Sequence, residues 1–209
     1  MYKEAPGAHS SGGFVISRTK VAVLIDGGHV RALARAAKKI FNLDYIERVA
    51  VACIASDETA FRFLYYDCAP YEGTVKKPVS ATPHVFQASD QWLQDLAAKD
   101  LFAVRRGVLK FRGWKPKKAP LSAGPTDADF EPDFEQKGVD MRIGLDMASF
   151  ADTRAVDRIV LLSGDTDCVP AMKHVREAGL QVVIVSLPNG RRIPELLWHA
   201  DFERQVSWP

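Results

Sequence analysis

Aspartates that could hold a metal ion recur along this chain, most of them directly after an apolar run. They are Asp26, Asp67, Asp140, Asp146, Asp165 and Asp167. Two carboxylates about 4 Å apart repel by about 4 kcal/mol at an effective dielectric constant near 20, so a group of them requires a balancing cation. Carboxylate ligands without cysteine or histidine favour Mg²⁺ or Mn²⁺. Such ions activate water and stabilise both oxygens of a phosphodiester displacement, so the pattern indicates a phosphoryl-transfer hydrolase.

Each aspartate also has an ordinary structural explanation. Asp26, in Asp-Gly-Gly, is typical of a turn before a helix, and Asp167 is suitably placed to cap a helix that contains Pro170. Asp140 and Asp146 are six residues apart, so on one ideal helix they point about 120° away from each other and are not equivalent. The order of the acids along the chain favours a joint site over these separate explanations.

Strands and helices alternate among the elements expected to position these acids. Continuous apolar runs, typical of strands buried on both faces, predict strands at residues 21–25, 61–66, 158–163 and 181–186, with a strand or hairpin at 102–111. The spacing of apolar residues predicts helices at 30–41, 86–98, 139–150, 169–178 and 194–199, and another from Asn42 or Asp44 to about residue 54. Residues 116–132 are rich in Pro, Gly, Ser, Thr and Asp, which predicts a loop.

This alternation predicts an α/β fold with three layers, α/β/α, and a mainly parallel central sheet. In such sheets, ligands bind beyond the carboxyl ends of the strands, near the point where the strand order reverses. Asp26, Asp67, Asp165 and Asp167 follow predicted strands directly. We therefore expect them to converge at one edge of the sheet, with Asp140 or Asp146 joining them from the preceding helix.

The whole chain of 209 residues is typical of one globular domain. We expect a flexible lead at residues 1–20, the domain at 21–204 with a basic and acidic insertion at about 102–135, and a tail at 205–209. No stretch approaches the roughly 18 apolar residues of a membrane helix, and no apolar signal segment is seen. The three cysteines lack CxxC spacing, which predicts neither disulfides nor a zinc site and favours a cytoplasmic location.

Four segments, in this order, resemble the NYN domain of the LabA-like group, within the PIN-like nuclease superfamily. They are VLIDGG at 23–28, QKGVDMRIGLDM at 136–147, LLSGDTD at 161–167 and WHADF at 198–202. The resemblance implies a Mg²⁺- or Mn²⁺-dependent endoribonuclease. Two positions depart from the usual pattern, because His29 stands where asparagine is common and Cys168 where an aromatic residue is common.

The resemblance also implies roles for particular residues. The metal-holding and catalytic set would be Asp26, Asp140, Asp165 and Asp167, with Asp146 as an alternative to Asp140. Ser163 would lie beside the metal and hydrogen-bond a phosphate or an acid. His29 would contact phosphate or orient water, although it could equally be an ordinary residue at the start of a helix.

A basic stretch with interleaved aromatic residues suits single-stranded RNA, because cations neutralise phosphates and aromatic rings stack on unpaired bases, although these features do not distinguish RNA from DNA. Its residues are Arg105, Arg106, Lys110, Phe111, Arg112, Trp114, Lys115, Lys117 and Lys118, with no acid among them. The alternative is a solvated basic hairpin with its aromatic rings in the core. Arg191 and Arg192 form a second basic loop that could bind phosphate.

An acidic stretch follows the basic one, at Asp127, Asp129, Glu131, Asp133 and Glu135. It could fold back on the basic stretch and compete with nucleic acid, or simply favour solubility.

The leading prediction for the whole chain is a metal-dependent RNA endonuclease. A non-catalytic module that binds RNA or a protein partner is the alternative. We expect single-stranded RNA as the partner and no membrane, and self-association into a homo-oligomer stays open. The absence of GxGxxG and GxxxxGK[ST] motifs disfavours dinucleotide and P-loop nucleotide binding.

Overall fold

The computed structural model describes residues 18–120 and 123–209. Its strands are β1 (Thr19–Asp26), β2 (Glu58–Cys68), β3 (Gly73–Lys76), β4 (Pro83–Phe86), β5 (Phe102–Pro116), β6 (Phe130–Lys137), β7 (Arg158–Leu162), β8 (Gln181–Ser186) and β9 (Phe202–Gln205). Its helices are α1 (Gly27–Ala36), α2 (Leu43–Ala52), α3 (Gln91–Ala97), α4 (Val139–Thr153), α5 (Val169–Glu177) and α6 (Pro194–Trp198).

A seven-stranded sheet in the order β6-β5-β2-β1-β7-β8-β9 forms the middle layer. Its neighbouring strands are parallel, except that β5 and β6 are antiparallel. From β1 the chain proceeds outward through β2 and β5, and after β6 it returns to β7 on the other side of β1. The strand order therefore reverses between β1 and β7, which is where a ligand site is expected.

Two apolar cores cover the two faces of the sheet. Side chains of β1 alternate between them, with Val23 in one core and Leu24 in the other. Helices α1, α2 and α3 pack on the first face, and α4, α5 and α6 pack on the second. The continuous apolar run of β1 is explained because both faces of this strand are buried. The predicted three-layer fold with a mainly parallel sheet is confirmed.

Several elements differ from the sequence prediction. Helix α3 begins at Gln91, and Phe86, where the helix was predicted to begin, ends β4, which pairs with β3 in a separate hairpin. Strand β6 occupies part of the predicted loop at 116–132 and continues beyond it. This strand pairs with β5 alone at the edge of the sheet, so its sequence is polar and contains proline, as is typical of edge strands.

The predicted boundaries of the insertion, the tail and the lead also compare in detail with the structure. The first residues of β5 pair with β2 up to Gly107, so they belong to the central sheet and not to an insertion. At the C-terminal end, Val206 is buried and Trp208 stacks on Tyr45 with ring centroids 6.0 Å apart. The predicted tail therefore packs on the core. Residues 1–17 of the predicted lead lie outside the described residues. Its last residues, from Thr19, belong to β1.

All three cysteines, Cys53, Cys68 and Cys168, are buried and unpaired. Among the helices of the described residues, none has both the length and the apolar character needed to cross a bilayer.

Candidate metal centre

Asp26 ends β1 and at the same time caps α1. Its Oδ1 accepts a hydrogen bond of 3.0 Å from the backbone N–H of His29, which satisfies one of the free amide groups at the start of the helix. Gly27 follows because a Cβ there would lie 2.4 Å from the hydroxyl of the buried Tyr65. The Asp-Gly pair therefore lets the chain leave the strand and start the helix while it lies tightly against β2.

Asp165 has the same role after β7. Its Oδ1 accepts a hydrogen bond of 2.9 Å from the backbone N–H of Asp167, and so caps a short 3-10 turn at Thr166–Cys168. Asp167 was the predicted cap of the next helix, but Cys168 occupies that position and makes no capping bond through its side chain. The side chain of Asp167 is thus left exposed at the edge of the sheet.

Ser163 joins the ends of the two strands. Its buried hydroxyl donates to Asp26 Oδ2 at 3.3 Å and accepts from the backbone N–H of Asp165 at 3.1 Å. The expected contact of Ser163 with an acid is thus present. This hydroxyl holds the two carboxylate-bearing turns in a fixed relation.

Asp140 approaches from the first turn of α4, just after Gly138, which adopts φ 74°. One oxygen from each of Asp140, Asp165 and Asp167 lies within 4.8 Å of the other two. Asp26, Asp140 and Asp165 also line one open cleft of about 510 Å³. The structure therefore brings the four predicted acids to the edge of the sheet where the strand order reverses.

The four acids share one electrostatic property. Within the described residues, no lysine, arginine or histidine lies within ion-pair distance of Asp26, Asp140, Asp165 or Asp167. Burial raises the pKa of the Asp140 carboxyl above its ordinary value, and the charges of Asp165, Asp26 and Asp167 raise it further. The cluster therefore has an excess of negative charge that no ion pair with the described residues balances.

Two other candidate acids have cationic partners. Asp146 receives hydrogen bonds from Arg105 at 2.8 and 3.4 Å and from the hydroxyl of Tyr66 at 2.9 Å. Asp67 is buried and is bound by Arg31, by the hydroxyl of Tyr65 at 3.0 Å and by the backbone N–H of Cys68 at 2.8 Å. The structure thus places Asp140, and not Asp146, beside Asp165 and Asp167, while Asp146 lies in an ion pair with Arg105.

His29 lies on the wall of the cleft, against Gly164. A Cβ at Gly164 would be 2.6 Å from His29 Cε1, so glycine is needed for the ring to occupy this place. Burial lowers the pKa of His29, and the charge of Asp26 opposes part of this effect. The imidazole is thus neutral at physiological pH and offers hydrogen bonds to the cleft.

Cys168 lies behind the cluster and belongs to the core on the α4 and α5 side. Burial raises the pKa of its thiol to about 12, with further contributions from Asp165 and Asp140. The residue therefore packs as an apolar side chain.

The predicted RNA surface is an antiparallel hairpin in which most of the charges are matched. Cations of β5 pair with acids of β6, as in Arg112 with Glu135 at 3.3 Å and Lys115 with Asp133 at 3.3 Å. Of the remaining cations, Arg105 pairs with Asp146 and Arg106 with Asp90. The acidic stretch folds back on the basic one. The prediction of RNA binding relied on a lack of nearby acids, and that argument no longer holds here. RNA binding by this stretch, including Lys110, stays a prediction.

The aromatic residues of the hairpin pack with each other. Phe111 stacks on Tyr71 with ring centroids 5.9 Å apart, and Trp114 stacks on Phe86 at 6.0 Å. The indole N–H of Trp114 donates to the carbonyl oxygen of Lys76 at 2.8 Å. These rings join the β3–β4 hairpin to the β5–β6 hairpin, in agreement with the alternative interpretation of the basic stretch.

The second basic loop lies beyond the end of β8. Arg191 and Arg192 line a small pocket together with His29, Ser163 and Gly164, so this loop adjoins the acid cleft. Arg192 forms an ion pair with Glu203. Arg191 is exposed and makes no ion pair with the described residues.

The sequence analysis missed two residues that line the cleft, Gln136 and Thr166. Gln136 is the penultimate residue of β6, and Thr166 lies between the two aspartates that follow β7. Gln136 could not be placed because its strand, β6, was not predicted from the sequence. Thr166 was marked only by its position inside the SGDTD segment.

Comparison with known proteins gave one family and one similar structure. Residues 20–202 match the family model of the NYN domain. A crystal structure of a protein of unknown function from Vibrio parahaemolyticus has a TM-score of 0.50 and 17% identity, over 90% of this chain and 93% of that chain. At this identity the likeness concerns the fold alone. None of the curated proteins compared with the chain matches it.

Proposed function

The chain belongs to the NYN domain family, and from this premise we propose that it is a divalent-metal-dependent endoribonuclease that hydrolyses single-stranded RNA. The family has a PIN-like nuclease fold. The KGVD and SGDTD segments support a place in its LabA-like group. The proposal rests chiefly on one observation, the cluster of carboxylates without a cationic partner at the point where the strand order reverses.

The residues present fit a divalent cation. Carboxylates within 4.8 Å of each other repel, and the pKa of Asp140 is raised by burial first and then by the charges of Asp165, Asp26 and Asp167. Asp140, Asp165 and Asp167 would hold the ion, with Asp26 beside them. Oxygen ligands of this kind suit Mg²⁺ or Mn²⁺. When bound, such an ion supplies Lewis-acid stabilisation of the phosphodiester and activation of the attacking water.

The other groups of the cleft position the substrate. Ser163 orients Asp26 and fixes the turn that carries Asp165. Gln136, Thr166 and the neutral ring of His29 offer hydrogen bonds to phosphate and ribose oxygens. Arg191, at the neighbouring pocket, would contact a phosphate next to the one that is cleaved. Apart from Arg191 at the rim, these groups would bind the substrate without adding a positive charge that could pair with the acids in place of the metal ion.

A cleavage assay with labelled single-stranded RNA in Mn²⁺ tests the proposal. Asp165→Asn should lower the rate at least about 100-fold, because it removes one of the carboxylates that would hold the ion, a loss comparable to that of one group that stabilises the transition state. Asp152→Asn is the matched control, since Asp152 is exposed and pairs only with His174. Its rate should equal that of the wild type.

Two outcomes would contradict the proposed ribonuclease activity. Equal cleavage by the wild type and Asp165→Asn would show a contaminating nuclease. RNA binding without cleavage in either Mg²⁺ or Mn²⁺ would favour the alternative, a non-catalytic NYN module.

A further inference from the structure

A second concavity lies beside the acid cleft, on the α1 side of the same sheet edge. It has a volume of about 590 Å³, within the usual range for small-ligand pockets. Phe41 and Trp92 contribute aromatic walls, and Leu109 adds an apolar one. It adjoins the cleft through α1, because Gly28 lines the cleft and Arg31, about one helical turn later, lines the concavity.

Polar groups in this concavity are hydrogen-bond donors. Arg31 is held by the buried Asp67, and its guanidinium lies 5.6 Å from the centre of the Phe41 ring. Asn42 uses its side-chain oxygen to cap α2, accepting from the N–H of Tyr45 at 2.9 Å. Its amide NH₂ group therefore remains as a donor. Aromatic walls with donors at the edge are complementary to a nucleobase, whose faces stack and whose carbonyl and ring-nitrogen atoms accept.

A row of cations continues from this concavity. Arg35, Lys38 and Lys39 line an adjoining open surface that also includes Arg31 and Phe41. All three are exposed, and none forms an ion pair with the described part of the chain. By contrast, most cations of the β5–β6 hairpin are matched by acids. Unmatched positive charge next to a stacking pocket is the combination that binds single-stranded nucleic acid.

We infer that this concavity, with its walls Phe41 and Trp92, holds one unpaired base of the RNA strand, while Arg35, Lys38 and Lys39 bind the phosphates next to it. The inference builds on the proposed function, since it gives the strand its path from the cleft along α1. It also restricts the substrate to single strands, because a base in a duplex is stacked and does not enter a side pocket.

Binding of a phosphorothioate-linked single-stranded oligoribonucleotide to the full chain in Mg²⁺ tests the phosphate contacts. Lys38→Gln/Lys39→Gln should reduce the slope of log K against log salt concentration by about 1.4, at about 0.7 per phosphate contact in single strands. The matched control is Arg62→Gln/Lys173→Gln, which removes two exposed cations elsewhere. The control should retain the wild-type slope.

The same assay tests the base pocket. Trp92→Leu and Phe41→Leu should each weaken binding about fivefold to 100-fold, because a stacked base is lost while an apolar side chain remains. Trp198→Leu, at an exposed tryptophan away from the concavity, should bind as the wild type. Thermal unfolding identifies any variant that does not fold. If one aromatic variant does not fold, the affinity of the other decides whether the pocket binds a base.

Unchanged affinity in the folded aromatic variants, or equal binding of a duplex, would overturn the inference. Because the probe resists hydrolysis, the effect of the aromatic variants on its binding can be measured whether or not the metal centre cleaves RNA. The cleavage assay with Asp165→Asn reports on the metal centre alone, so the two proposals fail separately.

Discussion

Asp140 and Asp146 lie on the same helix and carry the same carboxylate, but their surroundings differ. Asp140 faces Asp165 and Asp167 within 4.8 Å, whereas Asp146 faces Arg105 and the hydroxyl of Tyr66. The six-residue spacing points them about 120° apart, so only one can reach the strand ends. Asp140 is thus a candidate ligand that destabilises the metal-free fold, and Asp146 stabilises the contact of α4 with β2 and β5.

Asp140→Asn should raise the melting temperature in chelator and abolish the rise that Mg²⁺ or Mn²⁺ produces in the wild type. In the fold the Asp140 pKa is raised, so at neutral pH its charge opposes folding, and a neutral amide relieves this. Each kcal/mol of relief adds about 2–4 °C for a chain of this size. A bound ion stabilises the wild type because it binds only the folded state.

Asp146→Asn is the control for this experiment. It should lower the melting temperature, since Arg105 loses its charged partner, and it should keep the metal-dependent rise. Differential scanning fluorimetry with and without metal measures both variants. The reverse pattern, with the metal effect lost in Asp146→Asn and kept in Asp140→Asn, would refute the assignment of Asp140.

At the scale of elements, the position of α1 decides whether the site forms. Its first residue lies so close to β2 that a Cβ at Gly27 would be 2.4 Å from Tyr65 Oη and 2.8 Å from Asp67 Oδ2. Both side chains are buried and hydrogen-bonded to each other at 3.0 Å, so neither is free to move. The glycine therefore sets how near the N-terminus of α1, with His29, comes to the ends of the strands.

Gly27→Ala should destabilise the fold by about 1–3 kcal/mol, as is usual when a methyl group is forced into a packed core. Gly144→Ala is the matched control in α4, where the nearest atom to the new Cβ would be the Cβ of Ala171 at an ordinary 3.8 Å. That variant should gain about 0.5–1 kcal/mol, because alanine favours a helix over glycine. Urea unfolding measures both, and a stable Gly27→Ala protein would refute the close packing of α1 on β2.

Across the whole molecule, a buried ion-pair network joins strands at the end of the sheet opposite the acid cleft. Glu58, at the start of β2, binds Arg204 of β9 at 2.8 Å and Arg158 of β7 at 2.5 Å. It also accepts the backbone N–H of Ala55 at 2.7 Å. Burial would raise the Glu58 pKa, but hydrogen bonds from Arg204, Ala55 and Arg158 outweigh burial and lower it. The network joins strands from both halves of the fold.

Glu58→Gln should cost about 3 kcal/mol at neutral pH, since two arginines lose a buried charged partner, which corresponds to roughly 6–12 °C in melting temperature. The folded pKa lies below the ordinary 4.5, so the stabilisation is complete above 4.5 and is lost as the pH falls through the lowered value. The difference in stability between wild type and variant should therefore narrow under acid. A difference that does not depend on pH between neutral and strongly acidic buffer would contradict this role.

The class of fold and the convergence of acids could be predicted because their signals are local. Apolar runs identify strands buried on both faces, and parallel strands end at a common edge, so Asp26, Asp165 and Asp167 had to lie close together once the sheet was inferred. The helix before β7 could likewise be recognised, with both of its acids. What remained undecided was which of Asp140 and Asp146 faces that edge.

Contacts between distant segments decided the rest. The charges of Arg112 and Lys115 are matched by a strand about 20 residues later in the chain. Phe41 and Trp92 line one concavity although α2, β2 and the β3–β4 hairpin lie between them in the sequence. Local periodicity carries no information about such pairings, because it reports which face of an element is buried and not what covers that face. Tertiary packing therefore decides which cations remain unmatched and where an unpaired base would fit beside the acids.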